Sequence, residues 1–144
     1  MRDDLWWAID SIAPAAVAGL AGWHAGCLAT GACLGTTTTV PWAMTEPAST
    51  VGRHPTELYA ALALTLVAAT LVFWKMRARP SPGVIGAIAL TAVAAIRLAT
   101  EPFRLTLGNP PTAWYVLGVV GGVTLIVWRS RAITDSPEGA PTTV

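Results

Sequence analysis

Val51-Gly52-Arg53-His54-Pro55-Thr56-Glu57-Leu58-Tyr59-Ala60-Ala61 sets two basic residues and an acid at the mouth of an apolar run. That run, Leu58–Trp74, holds no charge and ends in Lys75 and Arg77. His54 can cap the helix it implies, and Pro55 can occupy the first turn, where a missing N–H costs nothing. The stretch reads as a membrane-crossing helix with a polar cluster at one end. A second cluster, Arg97-Leu98-Ala99-Thr100-Glu101-Pro102-Phe103-Arg104, closes another apolar run. The fold turns on whether the two clusters meet.

The composition points to the same solvent. Of 144 residues, 53% are hydrophobic and only 12% charged, against about 25% charged in an ordinary soluble domain. The mean hydropathy is +0.56. A soluble core of this size could not hide so much apolar surface, so the expected surroundings are a lipid bilayer. Trp6, Trp7, Trp23, Trp42, Trp74, Trp114 and Trp128 fall mostly near the edges of apolar runs, as in an interfacial aromatic belt. A net charge of +1, with no basic run interleaved with aromatics, gives no nucleic-acid partner. Asp3 and Asp4 beside Arg2 argue against a cleaved signal peptide, and Ala25-Gly26-Cys27 has His24 where a lipobox wants an aliphatic residue.

Outward from the central run, three more spans follow from the same reading. Ser11–Trp23 reads as a span, and Leu5–Asp10 could supply its first turns. No Asp, Glu, Lys or Arg occurs from Ser11 to Thr45. His24–Gly35 is rich in small residues, and Thr36–Thr39, Pro41 and Pro47 break any helix, so an irregular or re-entrant segment is expected there. Arg79-Pro80-Ser81-Pro82-Gly83 is a tight turn into Val84–Ile96, and Gly108-Asn109-Pro110-Pro111 a loop before Ala113–Trp128. The expected fold is all-α and polytopic: about four transmembrane helices of roughly 16–19 residues, with an irregular segment after the first. Residues 1–131 would form the membrane domain, and the polar, Pro-rich 132–144 a disordered cytoplasmic tail. Lys75, Arg77 and Arg79, then Arg129 and Arg131, place both termini in the cytoplasm by the positive-inside rule. His24, Cys27, Arg53, His54, Arg97, Glu101 and Arg104 then share the outer face.

The chemistry in these clusters is open at this point. Arg97, Glu101 and Arg104 would share one helix face by their spacing, unless Pro102 breaks it. Arg97 inside an apolar run costs on the order of 2.5–3.5 kcal/mol on insertion scales. An ion pair to Glu101 or a bidentate grip on a lipid phosphate would offset that, and snorkelling to the interface would avoid it. His54 could accept a proton, bind phosphate or only cap its helix; Glu57 could be only a capping carboxylate. Tyr59 suits an interfacial anchor. His24 could be a satisfied interior histidine. Cys27 and Cys33 do not have metal-ligand spacing, so no metal is expected; they are either buried small residues or an outer-face disulfide.

These segments carry a resemblance. Arg53-His54-Pro55-Thr56-Glu57-Leu58-Tyr59 resembles the His-Pro-Ser-Gln-Leu-Tyr-Glu segment of the prolipoprotein diacylglyceryl transferase family. Ile96–Arg104 resembles its Phe-Arg-x-x-x-Glu-Phe-Phe-Arg segment. Gly26–Gly35 followed by Pro41-Trp42 resembles the family signature and its Pro-Trp, and Asp10-Ser11-Ile12-Ala13-Pro14 the Asp-x-x-Ala-Pro before it. Four segments in order over about residues 5–105 make the match specific. His24 falls on the signature's lipid-contacting arginine, Ala32 on its acid, Thr36 on its last arginine, Glu57 on the Gln and Ala60 on the closing Glu.

The resemblance implies a bacterial inner-membrane enzyme of lipoprotein biosynthesis that needs no cofactor. It would move the diacylglyceryl group of phosphatidylglycerol onto the lipobox cysteine thiol of prolipoprotein signal peptides. Arg97 would hold the phosphate, helped by Arg53, Arg104 and His24, and Glu101 would orient Arg97. His54, His24 and Glu101 are the candidate catalytic residues, since the thiolate is the nucleophile and needs a base. Cys27, Gly31 and Gly35 would shape the signature loop. The family has seven membrane helices, and this chain matches the later part. It is expected to be a short or N-terminally truncated, diverged member, with a second chain as one source of the remaining helices. The alternative is a non-catalytic membrane protein that keeps a phospholipid-headgroup site for binding or assembly.

Overall fold

The computed structural model describes residues 2–31, 33–78, 80–105 and 110–134. In chain order it contains α1 (Arg2–Ala29), strands β1 (Met44–Thr45) and β2 (Gly52–Arg53), α2 (Thr56–Ala78), α3 (Val84–Thr100), a 3-10 turn Glu101–Phe103, and α4 (Thr112–Thr134). All four α-helices are long and apolar enough to cross a membrane. The all-α, polytopic architecture expected from the apolar runs is the one observed, with the irregular segment after the first span.

The helices are longer than the runs suggested: 28, 23, 17 and 23 residues. α1 passes through Pro14 and continues to Ala29, so His24, Gly26 and Cys27 are helical and the irregular segment begins at Thr30. The physical reason is the solvent. A helix interrupted within the hydrocarbon strands N–H and C=O groups that water cannot reach, so weak helix formers such as Gly26 stay in the helix. α4 likewise runs three residues beyond residue 131, to Thr134; the remainder of the expected tail, 135–144, lies outside the described residues.

α1 packs on α2 and α3, and α4 packs on α3. The core is Val17, Ala21, Leu64, Ala68, Leu71, Ile85 and Ala89, four of the seven alanine or valine, which lets helices approach closely. α4 approaches α3 closely at Gly122, where a Cβ would lie 2.1 Å from the Thr91 hydroxyl oxygen.

One end of the bundle is tied by Asp10. Its carboxylate accepts hydrogen bonds from the Gly83 and Gly86 N–H groups at 2.7 and 2.8 Å, at the start of α3. Lys75 at the end of α2 donates to the Asp10 carbonyl at 2.9 Å and the Ser11 hydroxyl at 3.2 Å. Arg129 of α4 donates to the Pro82 carbonyl at 2.7 Å and lies over the Trp6 ring. The opposite end is covered by residues 33–55, which include β1 antiparallel to β2 and a bridge from Thr37 to Arg53.

Candidate functional site

Three chain segments converge at Gly35. Its N–H donates to the His54 carbonyl at 2.7 Å, and the next N–H, of Thr36, donates to the Phe103 carbonyl at 2.8 Å. His54 N–H returns a bond to the Thr36 carbonyl at 2.9 Å. A Cβ at position 35 would lie 2.0 Å from the Phe103 oxygen and 2.7 Å from the Thr56 hydroxyl oxygen. Only glycine lets the backbones meet, and their meeting brings the start of α2 against the end of α3. The two clusters therefore do join.

Beneath this junction lies a cavity of about 380 Å³, lined by His24 and Cys27 of α1, Thr56 and Glu57 of α2, Arg97 of α3, and Arg104, among others. Glu57 is its hub. The carboxylate is buried, and each oxygen has a cationic or imidazole partner: Oε2 pairs with His24 Nδ1, and Oε1 accepts from Arg104 Nη1 at 3.1 Å. Arg97 reaches the cavity with its guanidinium 5.8 Å from the Tyr115 ring centre, in a cation–π contact. Cys27 and Cys33 form a disulfide, with Cα atoms 6.0 Å apart, and both line the cavity. An acid, two guanidiniums and an imidazole in an apolar bundle can bind an anion and move a proton.

An apolar groove of about 440 Å³ runs between α1 and α3, lined by Ile9, Ile12, Ala16 and Leu90 among others. Leu20 and Val93 line both the groove and the polar cavity. The two spaces are thus adjacent, one charged and one hydrocarbon-like, along the same pair of helices.

The cavity gathers some of the residues the sequence singled out and not others. His24, Cys27, Arg97 and Arg104 meet there. Gly35 shapes the overlying junction, and Gly31 turns the chain out of α1 with φ +68°, its N–H donating to the Leu28 carbonyl. Arg53 points elsewhere, its Nε 3.4 Å from Glu46 and an Nη1 donating to the Gly35 carbonyl at 3.3 Å. The His54 ring is not a helix cap: the Pro55 carbonyl accepts the first bonds of α2. The ring lies tilted against Phe103 with centroids 5.0 Å apart and its Nδ1 lies 3.3 Å from the Tyr59 hydroxyl, to which Trp42 Nε1 donates at 2.7 Å.

The shared face of Arg97, Glu101 and Arg104 does not form. The helix tightens into a 3-10 turn at Glu101–Phe103, with Pro102 in its first positions, and Arg104 is extended. Arg104 therefore turns to Glu57 instead of Glu101. Glu101 does not pair with Arg97; both its carboxylate oxygens are buried with no hydrogen-bond partner among the described residues, beside a second cavity of about 330 Å³ that Arg104 also lines. The residue missed as a site residue was Glu57. Its position in the first turn of α2 is that of a capping carboxylate, and no local spacing links it to His24, 33 residues away.

Comparison with known proteins bears on what this cavity belongs to. The family model described as prolipoprotein diacylglyceryl transferase matches residues 2–129. A phosphatidylglycerol–prolipoprotein diacylglyceryl transferase of Cupriavidus necator is 31% identical over 134 residues, covering 85% of this chain and 49% of that protein. Its namesake in Idiomarina loihiensis is 31% identical over 90% of this chain and 52% of its own. That of Legionella pneumophila strain Corby is 32% identical over 82% and 48%. The chain spans about half the length of the curated relatives it matches. It belongs to the prolipoprotein diacylglyceryl transferase family.

Proposed function

We propose that this chain transfers the diacylglyceryl group of phosphatidylglycerol to the lipobox cysteine thiol of prolipoproteins. The observation that carries the reading is the adjacency of the polar cavity and the apolar groove, which share Leu20 and Val93. A phospholipid has that same division. Its phosphate would lie between Arg97 and Arg104, where the guanidinium fork suits two phosphate oxygens. An acyl chain would follow the groove between α1 and α3. The reaction breaks the bond between the glyceryl carbon and the phosphate oxygen and forms a sulfur–carbon bond. The electron pair leaves on glycerol phosphate, whose charge the two arginines hold in low dielectric. The names of the relatives, which specify phosphatidylglycerol and a prolipoprotein, support this choice of substrates.

The cavity end of the bundle would face outward and the Asp10 end inward, with both termini cytoplasmic. Lys75, Arg77 and Arg129 gather at the Asp10 end, in keeping with the positive-inside rule. Of the remaining candidates, Arg53 and His54 would stabilise the cover over the cavity, and Glu101 would border the neighbouring cavity that Arg104 also lines.

The test is transfer of labelled diacylglycerol from phosphatidylglycerol to a lipobox peptide by the chain in nanodiscs. Transfer that falls in Arg97→Ala supports the reading. Binding of phosphatidylglycerol without transfer would replace it with that of a lipid-headgroup protein.

A further inference from the structure

We propose that His24 is the base that takes the substrate thiol's proton and that Glu57 is its positioning residue; the proposal rests on the transferase reading. Glu57 fixes the tautomer. Its Oε1 accepts from Arg104 Nη1 at 3.1 Å, so the carboxylate meets its neighbours as an acceptor on both oxygens. His24 Nδ1 opposite Oε2 must then be the protonated nitrogen. In the neutral ring this leaves the lone pair on Nε2, which is buried without a hydrogen-bond partner among the described residues. His24 is 3% exposed and lines the same cavity as Arg97 and Arg104. A buried ring nitrogen with no partner is costly unless a ligand supplies the donor.

His54 is a poorer base on the same grounds, since its ring is engaged by Phe103 and Tyr59 outside the cavity lining. The charged groups facing His24 are Glu57 from α2, Arg97 from α3 and Arg104 from the segment after it. In the step, the S–H proton passes to His24 Nε2 and the sulfur attacks the glyceryl carbon. The carbon–oxygen bond breaks toward the phosphate. The proton on His24 then passes to the departing glycerol phosphate, so the ring returns to its starting form and no co-reactant is consumed.

The experiment uses the full chain in phosphatidylglycerol nanodiscs with a lipobox peptide. His24→Gln should lower transfer about 100-fold or more while phosphatidylglycerol still binds, and imidazole should restore part of the rate in His24→Ala. Glu57→Gln should lower kcat with the KM for phosphatidylglycerol little changed, and nitrogen NMR of that variant should show the Nε2-protonated tautomer gaining population, because an amide can turn its own N–H toward Nδ1. Nitrogen NMR of the neutral His24 ring in the unsubstituted chain should show the tautomer with protonated Nδ1 and bare Nε2, a readout independent of how the variants fold. Transfer by His24→Gln or His24→Arg at the unsubstituted rate, or a protonated Nε2 with bare Nδ1, overturns the base and leaves the transferase reading standing. An unsubstituted chain that transfers nothing overturns both.

Discussion

Each end of the helix bundle holds a buried, hydrogen-bonded acid, Asp10 at one and Glu57 at the other, and these two are satisfied in opposite ways. Asp10 is held by two backbone N–H groups, which are fixed, uncharged donors that cannot leave. Glu57 is held by an imidazole and a guanidinium that themselves line a cavity. Backbone donors make a joint, whereas titratable side chains beside open space make a place where charge and protons can be exchanged. Burial alone does not separate the two, since both residues are 6% exposed. The nature of the partners does.

The largest effect that would test this contrast is Glu57→Ala. It leaves His24 and Arg104 facing each other in a buried site without their common partner, and breaking a buried pair of this kind costs about 3–5 kcal/mol. We expect the melting temperature in detergent to fall and transfer to vanish. Gly35→Ala comes next: its Cβ has a backbone oxygen in its way at 2.0 Å, with no flexible side chain to yield. A loss near 3 kcal/mol is expected, with the cavity end loosened first in hydrogen exchange and the Asp10 end still protected.

Arg97→Ala should weaken phosphatidylglycerol binding by about 1.5–3 kcal/mol, roughly 10- to 100-fold, with little loss of fold. Arg97→Lys should recover only part of it, because an ammonium cannot reproduce the guanidinium fork. The smallest effect is Asp10→Asn. It keeps an acceptor for one N–H and loses the other, about 1–3 kcal/mol of stability, and should leave transfer per folded molecule unchanged. A transfer defect there at matched folded fraction would erase the distinction between the two ends.

The spans were legible because their cause is local. A chain in lipid must satisfy its backbone within the segment, and Leu58–Trp74 announces that in its composition. The helix ends were less legible for the same reason: Gly26 and Cys27 look like loop residues on aqueous preferences, and the bilayer overrides those. Of the site, His24 and Arg97 could be read as polar groups out of place in apolar runs. Their grouping could not be read fully. Glu57 reaches His24 and Arg104 across 33 and 47 positions, and sequence spacing carries information only about neighbours on one element. Arg97, Glu101 and Arg104 show the converse error. Their spacing suits a helix, but Pro102 lies in a 3-10 turn and Arg104 is extended, so the apparent face never forms and Glu101 has no hydrogen-bond partner among the described residues.

The disulfide between Cys27 and Cys33 has a consequence for selectivity against self. Both sulfurs line the cavity in which the proposal places an incoming thiol, and they are the chain's only cysteines. As free thiols beside a base and a bound phospholipid they would be rival nucleophiles, already in place at high effective concentration. Joined to each other, neither sulfur carries a proton to give up or a lone thiolate to attack with. An oxidising compartment would thus do more than staple the end of α1 to the cover. It would disarm the protein against acylating itself, and leave the visiting peptide as the sole acceptor in the cavity.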